Sequence, residues 1–343
     1  MMKQITLGST GITAAQNAFG CLPIQRISFE AAAELLNKAY QGGMRFFDTA
    51  RGYTDSEEKI GLAFGGNYAD KIIATKTVAR TVEGFWQDLK TSLRLLKTDC
   101  VDIYQFHCVD RCYRPGDGTG MYEAMLEAKA QGKIRHIGIT THKIGIAEEI
   151  IDSGLYETLQ FPFSYLSAER ELALAEKCKQ ANMGLIAMKA LAGGLITNAE
   201  AAFAFISQFD NVMPIWGIQR QTELADWLRF FDQPAQMTEE IRAFIDRERL
   251  ELTGDFCRGC GYCMPCPAGI EINNCARMTL MLRRAPSDAW LTEQWQKKMA
   301  MIESCLNCGR CKTKCPYELD TPSLLKKNLK DYRAVLDGRA QVD

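Results

Sequence analysis

Asp48, Tyr53, Lys76 and His107 stand at or just beyond the ends of three short apolar runs. Together they could move a proton to or from a carbonyl oxygen. A tyrosine hydroxyl has a reference pKa of about 10, too high for efficient acid–base work near neutrality. An ammonium beside it favours the phenolate, and a carboxylate holds that ammonium in place. A histidine next to the tyrosine can donate a hydrogen bond to a substrate oxygen as negative charge develops. The expected roles are Tyr53 as general acid, Lys76 as the group that lowers its pKa, Asp48 as the anchor of Lys76, and His107 as the carbonyl orienter. Singly, such a lysine is more often solvated and such a histidine a satisfied core residue. Their grouping is what argues for chemistry.

A second constellation is made of thiols. Nine of the 14 cysteines fall between Cys257 and Cys315. The run Cys305-x2-Cys308-x2-Cys311-x3-Cys315-Pro316 has the bacterial ferredoxin spacing for a 4Fe-4S cluster. Cys257-x2-Cys260-x2-Cys263-x2-Cys266-Pro267 is the same device with one residue fewer before the last cysteine. Tight turns at Gly259, Gly261 and Gly309 let three thiolates converge. Zinc prefers two separated pairs of ligands and has no use for three tandem cysteines twice over. In two-cluster ferredoxins the fourth cysteine of each run ligates the other cluster. The expected sets are therefore Cys257, Cys260, Cys263 with Cys315, and Cys305, Cys308, Cys311 with Cys266. Cys275 is read as a small buried hydrophobe.

The elements that must position these residues repeat one alternation: a short apolar run, a turn, then an amphipathic helix. Candidate strands cover 18–21, 44–48, 72–75, 101–106, 136–139, 158–161, 184–188 and 212–216. Helical periodicity covers 29–41 after the N-cap Ser28, 82–96, 123–131, 168–180 and 222–231. Eight strands each followed by a helix read as an α/β TIM (β/α)8 barrel over 1–235. In such a barrel the carboxyl ends of the strands carry the chemistry, which puts Asp48, Tyr53, Lys76 and His107 on one rim. A helical linker over 236–254 leads to a small all-α, ferredoxin-like domain over 255–343, with helices at 274–284, 289–302 and 321–336.

The run Phe46-Phe47-Asp48-Thr49-Ala50-Arg51-Gly52-Tyr53, followed by Ser56-Glu57, resembles the signature of the aldo/keto reductase family. Similar to it also are Ala74-Thr75-Lys76, Gly132-Lys133-Ile134-Arg135-His136-Ile137-Gly138 and Lys189-Ala190-Leu191-Ala192-Gly193-Gly194. The resemblance extends over residues 3–231. It implies NADPH-linked interconversion of a carbonyl and an alcohol by direct hydride transfer. It also implies cofactor contacts at Gln160 (nicotinamide carboxamide), Thr140 and Thr141 (in place of a Ser-Asn-type pair), Met188 (where many members stack an aromatic ring) and Gly217. Arg220 either supplies a cation to a 2′-phosphate or is a solvated helix-start residue.

With 41 basic and 42 acidic side chains, nothing suggests an electrostatic grip on nucleic acid. No stretch approaches the roughly 18 apolar residues of a membrane span, and no signal peptide is evident at the start. A cytoplasmic oxidoreductase is expected, with two 4Fe-4S clusters, NADPH, a small-molecule carbonyl or alcohol substrate and an electron-transfer protein partner. Two alternatives stay open: a cluster-fed reductase that does not use soluble NADPH, and an iron–sulfur electron carrier.

Overall fold

The structure, a computed structural model, describes residues 2–252, 256–284 and 287–340. A hairpin of β1 (Gln4–Thr6) and β2 (Thr13–Ala15) comes first. Eight parallel strands then close a barrel: β3 (Ala18–Gly20), β4 (Phe46–Asp48), β5 (Ile72–Thr77), β6 (Val101–Phe106), β7 (Ile134–Thr140), β8 (Thr158–Pro162), β9 (Gly184–Met188) and β10 (Val212–Gly217). The expected strands are all present, with ends shifted by at most two residues. The fold class is a TIM barrel followed by a helical iron–sulfur region.

Helices α1 (Phe29–Gln41), α2 (Ser56–Phe64), α3 (Val82–Leu96), α4 (Met121–Ala130), α5 (Ile144–Ser153), α6 (Glu169–Gln180), α7 (Ala199–Ile206) and α8 (Gln221–Asp232) follow the strands. Local chemistry sets their starts. Ser28 caps α1 by accepting from the Ala31 N–H, and Thr81 caps α3 by accepting from Gly84. Inside the barrel, Ala18, Phe46, Ala74, Ile103, Ile186 and Met213 form one cluster with Ile5, Leu7 and Ala14 of the hairpin segment. The hairpin thus plugs the barrel with apolar side chains, each worth roughly 1.5–3 kcal/mol when a large one is fully buried. The sequence pattern, whose first expected strand starts at residue 18, did not reveal this plug.

The chain divides into two compact units, Met1–Ala190 with Ala199–Ile241, and Leu191–Asn198 with Arg242–Asp343. The segment Leu191–Asn198, placed by sequence within the barrel domain, groups with the second unit. Helix α9 (Glu239–Glu251) occupies most of the expected linker, whose last residues, Thr253 and Gly254, lie outside the described residues.

The second unit contains α10 (Ile272–Cys275), α11 (Met278–Arg284), α12 (Glu293–Ala300), α13 (Arg310–Thr313) and α14 (Thr321–Leu336). Its long α14 buries Leu324, Leu325, Leu329 and Tyr332. The buried Asn328 ties α14 to the start of α11, donating to Ala276 O and accepting from the Thr279 N–H. Cys275 is fully buried. Among the described residues no helix is long and apolar enough to cross a membrane.

Candidate functional site

Strand alternation builds the barrel site. Phe46, Ala74 and Ile103 point into the core cluster, and Asp48, Lys76 and Gln105 lie two residues further along the same strands. Lys76 is fully buried and donates to Asp48 Oδ1 at 2.6 Å and to Thr49 O at 2.7 Å. Asp48 also receives Gln105 Nε2 at 3.4 Å and Gln160 Nε2 at 3.5 Å. Beyond β4 the chain stays alongside β5 through Thr49 N–H to Ala74 O and Arg51 N–H to Lys76 O. It then turns through the Tyr53 N–H to Ala50 O bond.

That turn sets the Tyr53 ring centroid 5.3 Å from Lys76 Nζ and 5.5 Å from the His107 ring, the two rings being nearly perpendicular. A Cβ on Gly52 would lie 3.1 Å from Val78 Cγ1 and 3.7 Å from His107 Nδ1, so the turn packs closely against both. The structure therefore brings Asp48, Tyr53, Lys76 and His107 together.

The electrostatics differ from the sequence expectation at one point. Burial first, then the negative charge of Asp48, holds the Tyr53 phenol well above its ordinary value. Lys76, paired with a carboxylate 2.6 Å away, does not outweigh these two effects. Tyr53 is thus a protonated donor rather than a phenolate. Asp48 itself is raised by burial, with Lys76, Gln160 and Gln105 acting in the opposite direction.

Burial, then the charges of Lys76 and Arg80, lowers His107 to about 3. Near neutrality the imidazole is uncharged, with one N–H to donate. Its Nδ1 is buried and has no hydrogen-bond partner among the described residues. Protons enter this histidine in the unfolded chain at about pH 6.5 and in the fold only at about pH 3. Its contribution to stability is therefore complete above pH 6.5 and lost as pH falls towards 3. Denaturant titrations across that window should show a shallower acid loss for His107→Gln than for the parent. Equal slopes would contradict the assigned burial.

The residues expected to hold nicotinamide are mostly engaged elsewhere. Thr140 Oγ1 accepts from the Cys108 N–H at 2.7 Å, and Thr141 Oγ1 donates to Val109 O at 2.9 Å. Gln160 accepts from Gln105 at 3.1 Å while reaching Asp48, which keeps its amide at the tetrad. Met188, half-buried, packs on the barrel core. Gly217 ends β10. The guanidinium of Arg220 is held by Glu223 Oε1 through Nε at 2.9 Å and Nη2 at 2.6 Å. Glu223 Oε2 accepts from the N–H groups of Gln219 and Arg220, so a carboxylate already caps the start of α8. Gln160 stands at the tetrad, where a nicotinamide amide could meet it, and Arg220, the expected cation for a 2′-phosphate, is already paired with Glu223.

Sequence reasoning missed Gln105 and Cys108. An amide two residues beyond Ile103, on the strand face that also carries Val101, was the available signal for the first. Cys108 has a left-handed backbone (φ 51°), which no residue pattern announces.

In the second unit, Cys266, Cys305, Cys308 and Cys311 line one small pocket, together with Pro267, Ile270 and Leu306. Cys263 also reaches it. Cys257 lies within electrostatic range of Cys260 and Cys315. Burial pushes the Cys263 thiol up to about 12, with Cys257 and Cys260 adding to the rise. Cys266 thus shares a pocket with three cysteines of the second run. Among the described residues the thiols are not drawn into a closed set of three or more ligands, but two runs of cysteines beside an apolar pocket are a donor type that suits iron–sulfur cubanes, in which bonding to metal removes the thiol protons.

The aldo/keto reductase family model matches residues 4–212. The chain belongs to the aldo/keto reductase family. A 4Fe-4S dicluster domain model matches residues 256–320, so this family member carries an iron–sulfur domain behind its barrel and is an oxidoreductase. It is similar to the uncharacterized oxidoreductase YqkF of Bacillus subtilis, 27% identical over 266 residues, covering 71% of this chain and 83% of that protein. L-galactose dehydrogenase of Arabidopsis thaliana is 29% identical over 211 residues, covering 56% of this chain and 66% of that protein.

Two solved structures share the fold. The holo form of AKR11C1 from Bacillus halodurans superposes with a TM-score of 0.63 at 21% identity, over 72% of this chain and 96% of that one. A Klebsiella pneumoniae aldo/keto reductase in complex with NADPH gives 0.61 at 20% identity, over 72% and 95%.

Proposed function

We propose that the barrel interconverts a small-molecule carbonyl compound and its alcohol, with Tyr53, Lys76, Asp48 and His107 as its catalytic set. Cys257, Cys260, Cys263 and Cys315 hold one 4Fe-4S cluster, and Cys305, Cys308, Cys311 and Cys266 hold a second. The observation that supports the first part is a phenol ring 5.3 Å from the ammonium of a buried ammonium–carboxylate pair.

In reduction, Tyr53 gives its phenolic proton to the carbonyl oxygen; in oxidation it takes the proton back. Lys76, fixed by Asp48 and Thr49 O, stabilises the negative charge that then appears on the phenol oxygen. His107, uncharged, donates an N–H to the same substrate oxygen. NADPH supplies the hydride when bound, and the clusters exchange single electrons with a partner protein. The Glu223 carboxylate at the start of α8 favours a second reading, the same carbonyl chemistry without soluble NADPH.

Titration of protein purified without oxygen, with NADPH as titrant, separates the two. Nucleotide binding with bleaching of the cluster absorbance is the result the first reading expects. No binding refutes it and leaves the second. Binding without bleaching refutes the electron relay.

A further inference from the structure

Arg277 lies between α10 and α11, and its guanidinium sits in a slot made by two glycines. Nη1 donates to Gly193 O at 2.9 Å. A Cβ on Gly193 would fall 2.6 Å from Nη1, and one on Gly259 would fall 2.9 Å from Cζ. Both glycines have positive φ, 69° and 65°, so the slot depends on their lack of side chains. The same Gly259 donates its N–H to Cys257 Sγ at 3.4 Å. The cation and the sulfur thus face one turn.

Two features of this site are unbalanced within the protein. Arg277 Nε is buried and has no hydrogen-bond partner among the described residues. No carboxylate pairs with Arg277 among the described residues either; the group whose negative charge it feels is Cys257. A partly buried cation without a counter-anion is unfavourable, so the slot calls for negative charge on the Cys257 side. A thiolate-ligated cluster has it. Arg310 lines the other cavity but is exposed, where water and salt screen its charge.

We propose that Arg277 is the counter-cation of the cluster held by Cys257, Cys260, Cys263 and Cys315, a positioning residue that stabilises the reduced form and raises that cluster's reduction potential. The inference rests on the cluster assignment above. Reduction places one more electron, and so one more negative charge, on the cluster. A fixed positive charge beside one ligand sulfur favours that state, and hydrogen bonds and net charge are the protein's means of setting such potentials.

The test is an anaerobic redox titration of the full-length holoprotein, with dithionite as reductant. Electron paramagnetic resonance follows the clusters, and iron is counted per chain. Arg277→Gln should keep its iron and move one of two couples to more negative potential. At a fixed potential the reduced-to-oxidised ratio of that couple should fall about tenfold, about 59 mV for one electron. The other couple should stay in place. Arg277→Lys, which keeps the charge, should shift less.

Wild-type potentials for both couples in Arg277→Gln would overturn the inference, as would equal shifts in both or loss of iron from both variants. If only Arg277→Gln loses iron, Arg277→Lys decides: a couple near the parent's supports the role, and a tenfold shift overturns it. Parent protein that binds no iron would instead defeat the cluster assignment.

Discussion

Tyr53→Phe should abolish carbonyl turnover while leaving the iron–sulfur domain reducible by dithionite. The substitution removes one oxygen and keeps the ring that packs 5.5 Å from His107 and 5.3 Å from Lys76 Nζ. The fold should therefore be unchanged. What is lost is the proton donor and the group on which Lys76 acts. General acid catalysis contributes about 10²–10⁴-fold, and a hydrogen bond to a developing oxyanion about 10²–10³-fold. The two overlap in one hydroxyl, so a fall in kcat of at least about 10³-fold is expected. Steady-state rates with a panel of small aldehydes and ketones measure it. A variant within tenfold of the parent would remove Tyr53 from its assigned role.

The second large effect concerns which thiols act together. If the last cysteine of each run serves the other run's cluster, Cys263→Ala combined with Cys315→Ala damages a single site and leaves about four irons per chain. Cys311→Ala combined with Cys315→Ala damages both and leaves almost none. Uncrossed ligation predicts the reverse pattern. Iron analysis of the two double variants decides between them. Metal binding in such small domains is also folding free energy. The second pair should therefore lower the thermal midpoint of the cysteine-rich unit further than the first.

The barrel was legible because each strand ends in a turn and its helices show a clear apolar face. Helices α1 and α3 begin after Ser28 and Thr81, whose side chains cap them as their types suggest. Helix α7 gives no such signal: Ala201 through Ile206 are buried all round, so no polar stripe marks a period. The hairpin that plugs the barrel consists of two three-residue strands, too short for alternation to stand out.

At the site, residue types alone identified the tyrosine, lysine, aspartate and histidine, since the period-two placement of Asp48 and Lys76 follows from strand geometry. The sign of the Tyr53 shift was not readable. It depends on how completely Asp48 neutralises Lys76 and on how deeply the phenol is buried, and both are properties of the packed pocket. Arg277 left no trace in the sequence, because its partner Gly193 lies 84 positions away. Arg220 was legible only as a choice between two roles, and in the structure it ion-pairs with Glu223 three residues later at the helix start.

The most direct measurement is the iron, acid-labile sulfide and bound-nucleotide content of protein purified without oxygen. Two cubanes require about eight iron and about eight sulfide per chain, with a brown colour lost on reduction. Colourless protein without iron, or one zinc per cysteine run and no labile sulfide, would contradict a redox enzyme that pairs a carbonyl-reducing barrel with iron–sulfur clusters.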